Sequence, residues 1–158
     1  MSLRDKDSQS AALTLFSASC DVQASISNRV NFNTQNIQFG QHSDGKVEFR
    51  ARSYEGYKES AKGITFKFPS DIKTGSYETT DPAFPFEILS YFETGTYSDF
   101  LTIYSYAATS GTVEVEVISN DPREMRYLIS FDFKGKDHRT EELHITGKAE
   151  LNGFIRAT

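Results

Sequence analysis

The sequence predicts an all-β fold, an antiparallel β-sandwich or flattened barrel of about ten strands with a C-terminal meander. Three observations predict it. Short stretches alternate apolar and polar side chains from about residue 11 onward, turn-forming residues interrupt them roughly every 8 to 20 positions, and no apolar pattern with helical spacing persists for three turns. A chain of 158 residues fits one domain with one core. Residues 1–10 are expected to form a flexible segment and residues 11–158 a single domain.

The first strand is expected over the apolar run from Ala11 to Ala18. The run stops just before Cys20 and superficially looks like a lipoprotein signal, but it is short and follows a mixed-charge segment with Arg4, Asp5, Lys6 and Asp7. A strand is the better reading. Val47, Phe49 and Ala51 then alternate with Lys46, Glu48, Arg50 and Arg52, and Ile64, Phe66 and Phe68 with Thr65 and Lys67. Both segments read as strands with one dry and one wet face.

The meander runs from Thr112 to Leu151. Val113, Val115 and Val117 share one face while Glu114 and Glu116 take the other; Asn120-Asp121-Pro122 breaks the pattern; Tyr127, Ile129, Phe131 and Phe133 return. Placing Val115 opposite Ile129 also sets Val113 opposite Phe131 and Val117 opposite Tyr127, so all these pairs are apolar. Setting Phe131 opposite Ile145 would bring Gly147 and Ala149 against Ile129 and Tyr127, and would oppose Arg126 to Glu150 and Asp132 to His144. The expected core is therefore Val113, Val115, Val117, Ile129, Phe131, Phe133 and Ile145.

Composition narrows the function. The formal net charge is -5, from 17 basic and 22 acidic residues interspersed along the chain, and 13 Phe and 8 Tyr stand beside no Trp. No basic stripe exists to displace counterions from a phosphate backbone, so no nucleic-acid partner is expected. No transmembrane segment is expected either. The one cysteine, Cys20, excludes an intramolecular disulfide and reads as a small buried apolar residue.

Catalytic and cofactor signatures are sparse. His42, His138 and His144 are too far apart in sequence to make a local ligand pair, so no metal site is expected. His42-Ser43-Asp44 carries the residue types of a hydrolase triad, but contiguous residues cannot adopt its geometry, and a hairpin turn explains them better. No glycine-rich phosphate loop and no nucleophile elbow occurs, so no cofactor is expected. Glu114/Glu116 and Glu141/Glu142 read as a solvated strand face and a loop.

The candidate binding residues are Tyr54, Tyr57 and Tyr97. They sit in Tyr54-Glu55-Gly56-Tyr57 and Gly95-Thr96-Tyr97-Ser98, where rigid amphipathic rings mix with adaptable Gly and Ser, as in paratopes. The competing reading makes these rings caps on the edge of the core.

The order of elements after Gly63 rests on Ile64-Thr65-Phe66-Lys67-Phe68, the turn Ile72-Lys73-Thr74-Gly75-Ser76-Tyr77, Ser110-Gly111-Thr112-Val113, Ile129-Ser130-Phe131-Asp132-Phe133 and Ile145-Thr146-Gly147-Lys148-Ala149. Through these it resembles small bacterial secreted or lipoprotein-like all-β domains of unknown function. The resemblance implies an architecture and a cell-envelope or secreted location, with no catalytic residues; without it the chain reads as cytoplasmic. The expectation is a non-enzymatic binding or adhesion module that recognises a protein or small ligand through its loops. A hydrolase with a non-local active site in a cleft is the alternative, and a homo-oligomer is left open.

Overall fold

The structure is a computed structural model that describes residues 14–54, 61–97 and 99–157. The expected flexible segment, residues 1–10, falls outside them, as do Tyr57 and the side chains of Tyr54 and Tyr97. The described residues form ten strands and no helix: β1 (Thr14–Ile26), β2 (Phe32–Thr34), β3 (Ile37–Gln41), β4 (Lys46–Tyr54), β5 (Ala61–Pro69), β6 (Gly75–Glu78), β7 (Ile88–Tyr97), β8 (Phe100–Asp121), β9 (Glu124–Lys136) and β10 (Glu142–Ala157).

All pairings are antiparallel, in the order β2-β1-β10-β9-β8-β7-β5-β4-β3, with β6 added alongside β8. The long strand β8 joins two layers. Its first part pairs with β7, and its second part pairs with β9. Between them the ladder skips a residue at Ala108/Ser110, and Gly111 takes φ 133, where an added Cβ would lie 2.1 Å from the Asp132 carbonyl oxygen. A bulge beside a glycine in this conformation bends a strand sharply. The sheet thus folds over and closes the core between its own halves.

Aromatic rings fill the space between the layers. Phe66 meets Phe131 at 5.6 Å between centroids, and Tyr127 lies edge-on to Phe68 at 4.9 Å and 88°. Such edge-to-face geometry places the positive ring edge against a negative face. The buried Tyr127 hydroxyl donates to the Ser70 carbonyl at 2.8 Å, so its polar tip is satisfied. The two sheet edges face each other near β2 and β3, where the Thr34 hydroxyl donates to the Arg52 carbonyl (2.7 Å) and the Arg52 amide to the Asn36 carbonyl (3.1 Å). The Thr34 bond crosses the seam while the Arg52 amide only extends the β3–β4 ladder beside it, and the strand order is not continuous there, so the barrel is not closed.

The β8–β9 register is as expected, with Val113, Val115 and Val117 opposite Phe131, Ile129 and Tyr127. Of the expected core residues, only Val117 is partly exposed.

Two expectations need correction. Gly147, not Ile145, opposes Phe131, a shift of two residues that keeps every face intact. The shift follows from a longer turn than the alternation suggests: Lys136 pairs with Glu142, and the Asp137 carboxylate holds the turn by accepting the Arg139 and Glu141 amides, both at 2.9 Å. Arg126 consequently faces Asn152 rather than Glu150 and pairs with Glu124 at 3.2 Å, while His144 still reaches Asp132 along the diagonal. Strand β5, moreover, is dry on both faces except at Lys67 and Pro69. Arg52 and Phe92 flank Gly63 in register and cover the outer side, with the guanidinium 5.8 Å from the ring centroid, and Thr65 is buried there.

Candidate functional site

Register places the β1–β2 turn, the β4–β5 connection, the β7–β8 hairpin and the β9–β10 turn at the same end of the folded sheet. Tyr54 ends β4 opposite Ala61, and Tyr97 ends β7 opposite Phe100. The backbone therefore brings two of the three candidate tyrosines to this end, on neighbouring hairpins; Tyr57 lies outside the described residues.

Beneath these reversals lies a charged network whose members no sequence spacing suggested. Arg29, in the β1–β2 turn, forks onto both Glu93 oxygens through Nε (2.9 and 3.1 Å) and Nη2 (2.9 Å), and Nη2 also reaches Glu141 Oε1 at 3.1 Å. Tyr91 donates its hydroxyl to Glu93 (2.9 Å), and Tyr106 donates to Glu141 (2.7 Å). Arg139 then bridges, donating from Nη2 to the Tyr106 hydroxyl (2.9 Å) and to Glu141 (3.0 Å), and from Nε to the buried Asp137. Its guanidinium lies 3.9 Å from the Tyr104 ring centroid, and Tyr104 stacks on His138 at 5.3 Å and 12°.

The alternation of β7 and β8 builds this arrangement. Tyr91 pairs with Tyr106 and Glu93 with Tyr104, so one inward face carries two buried rings and then, nearer the opening, the carboxylate. Each buried tyrosine keeps its ring in the core and its hydroxyl in the network. Asp137 caps its own turn while neutralising Arg139.

Hydrogen bonds and burial shift several of these groups. The Tyr106 hydroxyl bond, outweighing some burial and joined by Arg29, lowers the Glu141 carboxyl below the usual range. Burial pushes the Asp137 carboxyl up, but the Arg139 guanidinium and the Glu141 and Arg139 amides outweigh it and bring it below normal. Burial first, then the carboxylate of Glu93 or Glu141, raises Tyr91 and Tyr106 far beyond neutral pH. The Glu93 bond likewise raises Arg29. Acid–base catalysis requires a group poised to exchange a proton near the working pH, and these directions are opposite to that requirement. The network's hydrogen bonds join three chain reversals.

Around this base are exposed apolar side chains: Val30 (64%) beside Arg29, and Phe100 (75%), Leu101 (54%) and Ile103 (60%) on the hairpin. Sequence reasoning missed both them and the network, since Arg29 and Glu93 stand 64 residues apart and Arg29 and Glu141 stand 112 apart. The one available signal was the segment Asp137 to Glu141, where an Asp stands two and four residues before the amides it caps, the mark of a side-chain-held turn.

A second concavity, a trough of about 930 Å³, crosses the outer face of β1, β10, β9 and β8. Asp21, Glu150, Leu128 and Glu116 form one row along it, and Glu114 lies in the next, with Lys148 among them. Glu114 and Glu116 do face solvent, as the alternation indicates. Among the described residues no group of three or more His, Cys, Asp or Glu gathers at metal-binding range. His42 pairs with Glu48 at 3.1 Å, and His144 with Asp132. Cys20 is buried, and burial together with Asp21 pushes its thiol up to about 11. Among the described residues no helix is long and apolar enough to cross a membrane. No family model matches the chain, and no curated protein matches it either.

Proposed function

We propose that the chain is a non-enzymatic binding or adhesion module that recognises a protein or small ligand at the end of the sandwich where the four chain reversals meet. The observation that carries the reading is a rigid base under an exposed, amphipathic rim. Arg29, Glu93, Arg139 and Glu141 tie the β1–β2, β7–β8 and β9–β10 reversals together, and Val30 and Phe100 project from that base into solvent. Recognition surfaces gain affinity when their loops are held in place before binding, because less ordering entropy is lost. The backbone ends of β4 at Tyr54 and of β7 at Tyr97 support this reading by their registers, and Tyr57 follows Tyr54 in the sequence. The hydrolase alternative draws no support from a network whose Glu141 and Asp137 carboxyls are held below, and whose Tyr91 and Tyr106 hydroxyls are held above, their ordinary values.

The test is partner capture by pull-down or glycan array, followed by titration of the captured ligand. Tyr54→Ala, Tyr57→Ala or Tyr97→Ala should weaken binding at least tenfold while the melting temperature stays within about 2 °C, as expected of aromatic anchors in an interface centre. A fall in melting temperature with unchanged affinity would instead make these rings caps on the core.

A further inference from the structure

The β7–β8 hairpin carries an open sheet edge. Strand β8 pairs with β7 from Phe100 to Ala107, but β9 reaches it only from Ala107 onward, so among the described residues no strand covers the other side of Phe100–Tyr106. Two residues separate the paired Tyr97 and Phe100, and in such a hairpin the closing pair exchanges its hydrogen bonds with each other. Alternation then turns the amides and carbonyls of Phe100, Thr102, Tyr104 and Tyr106 toward β7, and those of Leu101, Ile103 and Ser105 outward. Ala107 follows the same parity, and it is the residue at which β9 begins to pair.

Natural sheets protect such edges with lysine, proline, bulges or a covering element. This segment carries no lysine and no proline, since no charged residue and no proline lies between Asp99 and Glu114, and among the described residues no strand covers it. The other edges differ. The β3 edge faces β1 across the stitched seam, and beyond β6 the open side of β8 meets Thr74, whose hydroxyl accepts the Val117 amide at 2.9 Å, and then carries Ser119, Asn120 and Asp121. The β9–β10 turn meets the ring of Tyr104 through Arg139 and His138 and flanks the edge only at its Tyr106 end, where Asp137 follows the Lys136 paired with Ala107.

We propose that this edge binds a second copy of the chain, with Phe100–Tyr106 of the two copies pairing antiparallel about a two-fold axis at Ile103. The segment is self-complementary in that register. Ile103 opposes its own copy, Leu101 opposes Ser105, Thr102 opposes Tyr104 and Phe100 opposes Tyr106, so each outward amide and carbonyl finds a partner. The half-exposed Leu101 and Ile103 of both copies merge into one apolar stripe on the outer face. No charge is buried or opposed to its like. The contact is short beside a standard interface of ~800 Å² per partner, so the dimer should dissociate on the order of 10–100 µM. This inference goes beyond the recognition role of the loops and does not rest on it: the pairing uses the backbone edge of β8, shares Phe100 with the rim, and leaves Val30 outside the paired segment.

Sedimentation velocity on the full chain between about 1 µM and 1 mM should show a monomer giving way to a dimer. Ile103→Lys should raise the dissociation constant at least tenfold, whereas Leu128→Lys, on the outer face of β9, should leave it unchanged. A second measurement guards against a variant that misfolds: Ile103→Cys should cross-link to its own copy with a short bis-maleimide, and Ile118→Cys, at the far end of β8, should not. Tyr54→Ala should leave the dimer intact, which separates failure of this proposal from failure of the loop reading. A wild-type chain that stays monomeric to 1 mM would overturn the inference. So would an Ile103→Lys variant as dimeric as the wild type, or equal cross-linking at both cysteines.

Discussion

Removing the Arg29 guanidinium tests whether the network locks the loop end. Arg29→Met keeps the unbranched stem of the side chain and deletes its donors, which now grip both oxygens of Glu93 and reach Glu141. The Arg29 and Glu93 side chains are 26% and 18% exposed, so the pair is neither a solvated surface bridge, worth ~0–1 kcal/mol, nor a fully buried one, whose breaking costs ~3–5 kcal/mol. Glu93 retains the Tyr91 hydroxyl, which limits the loss. The expected destabilisation is about 2 kcal/mol, in line with hydrogen bonds to charged groups. For a domain of this size that corresponds to a melting point lower by about 4–8 °C and a urea midpoint lower by roughly 1 M. A double-mutant cycle with Glu93→Gln isolates the pair, and a coupling energy of at least ~1 kcal/mol is expected. Hydrogen exchange should quicken in the β1–β2 turn before the core strands. A coupling within ~0.3 kcal/mol of zero, with unchanged exchange in that turn, would refute the claim that this network holds the end together.

Gly147→Ala should prevent folding or cost more than ~3 kcal/mol, because its Cβ would lie 2.1 Å from the Gln23 carbonyl oxygen and 2.7 Å from the Ala24 Cα, both backbone; the recovery of soluble, β-rich protein by circular dichroism checks it. The chain should lose stability in acid. The carboxyls of Glu141 and Asp137 sit below their unfolded values, so their contribution is complete above about pH 4–5 and falls away as pH drops through the folded values. Urea titrations from pH 7 to pH 2.5 should show that decline, with a shallower slope for Glu141→Gln, and an equal slope in the variant would remove Glu141 from the account.

Alternation alone determined much of this protein. A run such as Val113, Val115 and Val117 against Glu114 and Glu116 has a single face that can be buried, so strand identity, orientation and the β8–β9 register follow from hydrophobic period and turn chemistry. The aromatic core was legible for the same reason. Alternation repeats every two residues, however, and is blind to a shift of two: Phe131 could face Ile145 or Gly147 with the same face inward, and the Asp137-capped turn made the choice. The double burial of β5 was equally hidden, since it depends on Arg52 and Phe92 arriving from neighbouring strands.

The sequence by itself placed tyrosines in two hairpin connections, and the tertiary structure decided that these connections share one end of the sheet and which charges support it. Local chemistry fixes strands and turns because it acts between residues close in the chain. The pairing of Arg29 with Glu93 and Glu141, and the open edge of β8 where β9 stops short, depend instead on strand order and the bend at Gly111. Only closure of the sheet over its own core brings such distant positions into contact, because the geometry that pairs them is set by packing and not by spacing in the chain.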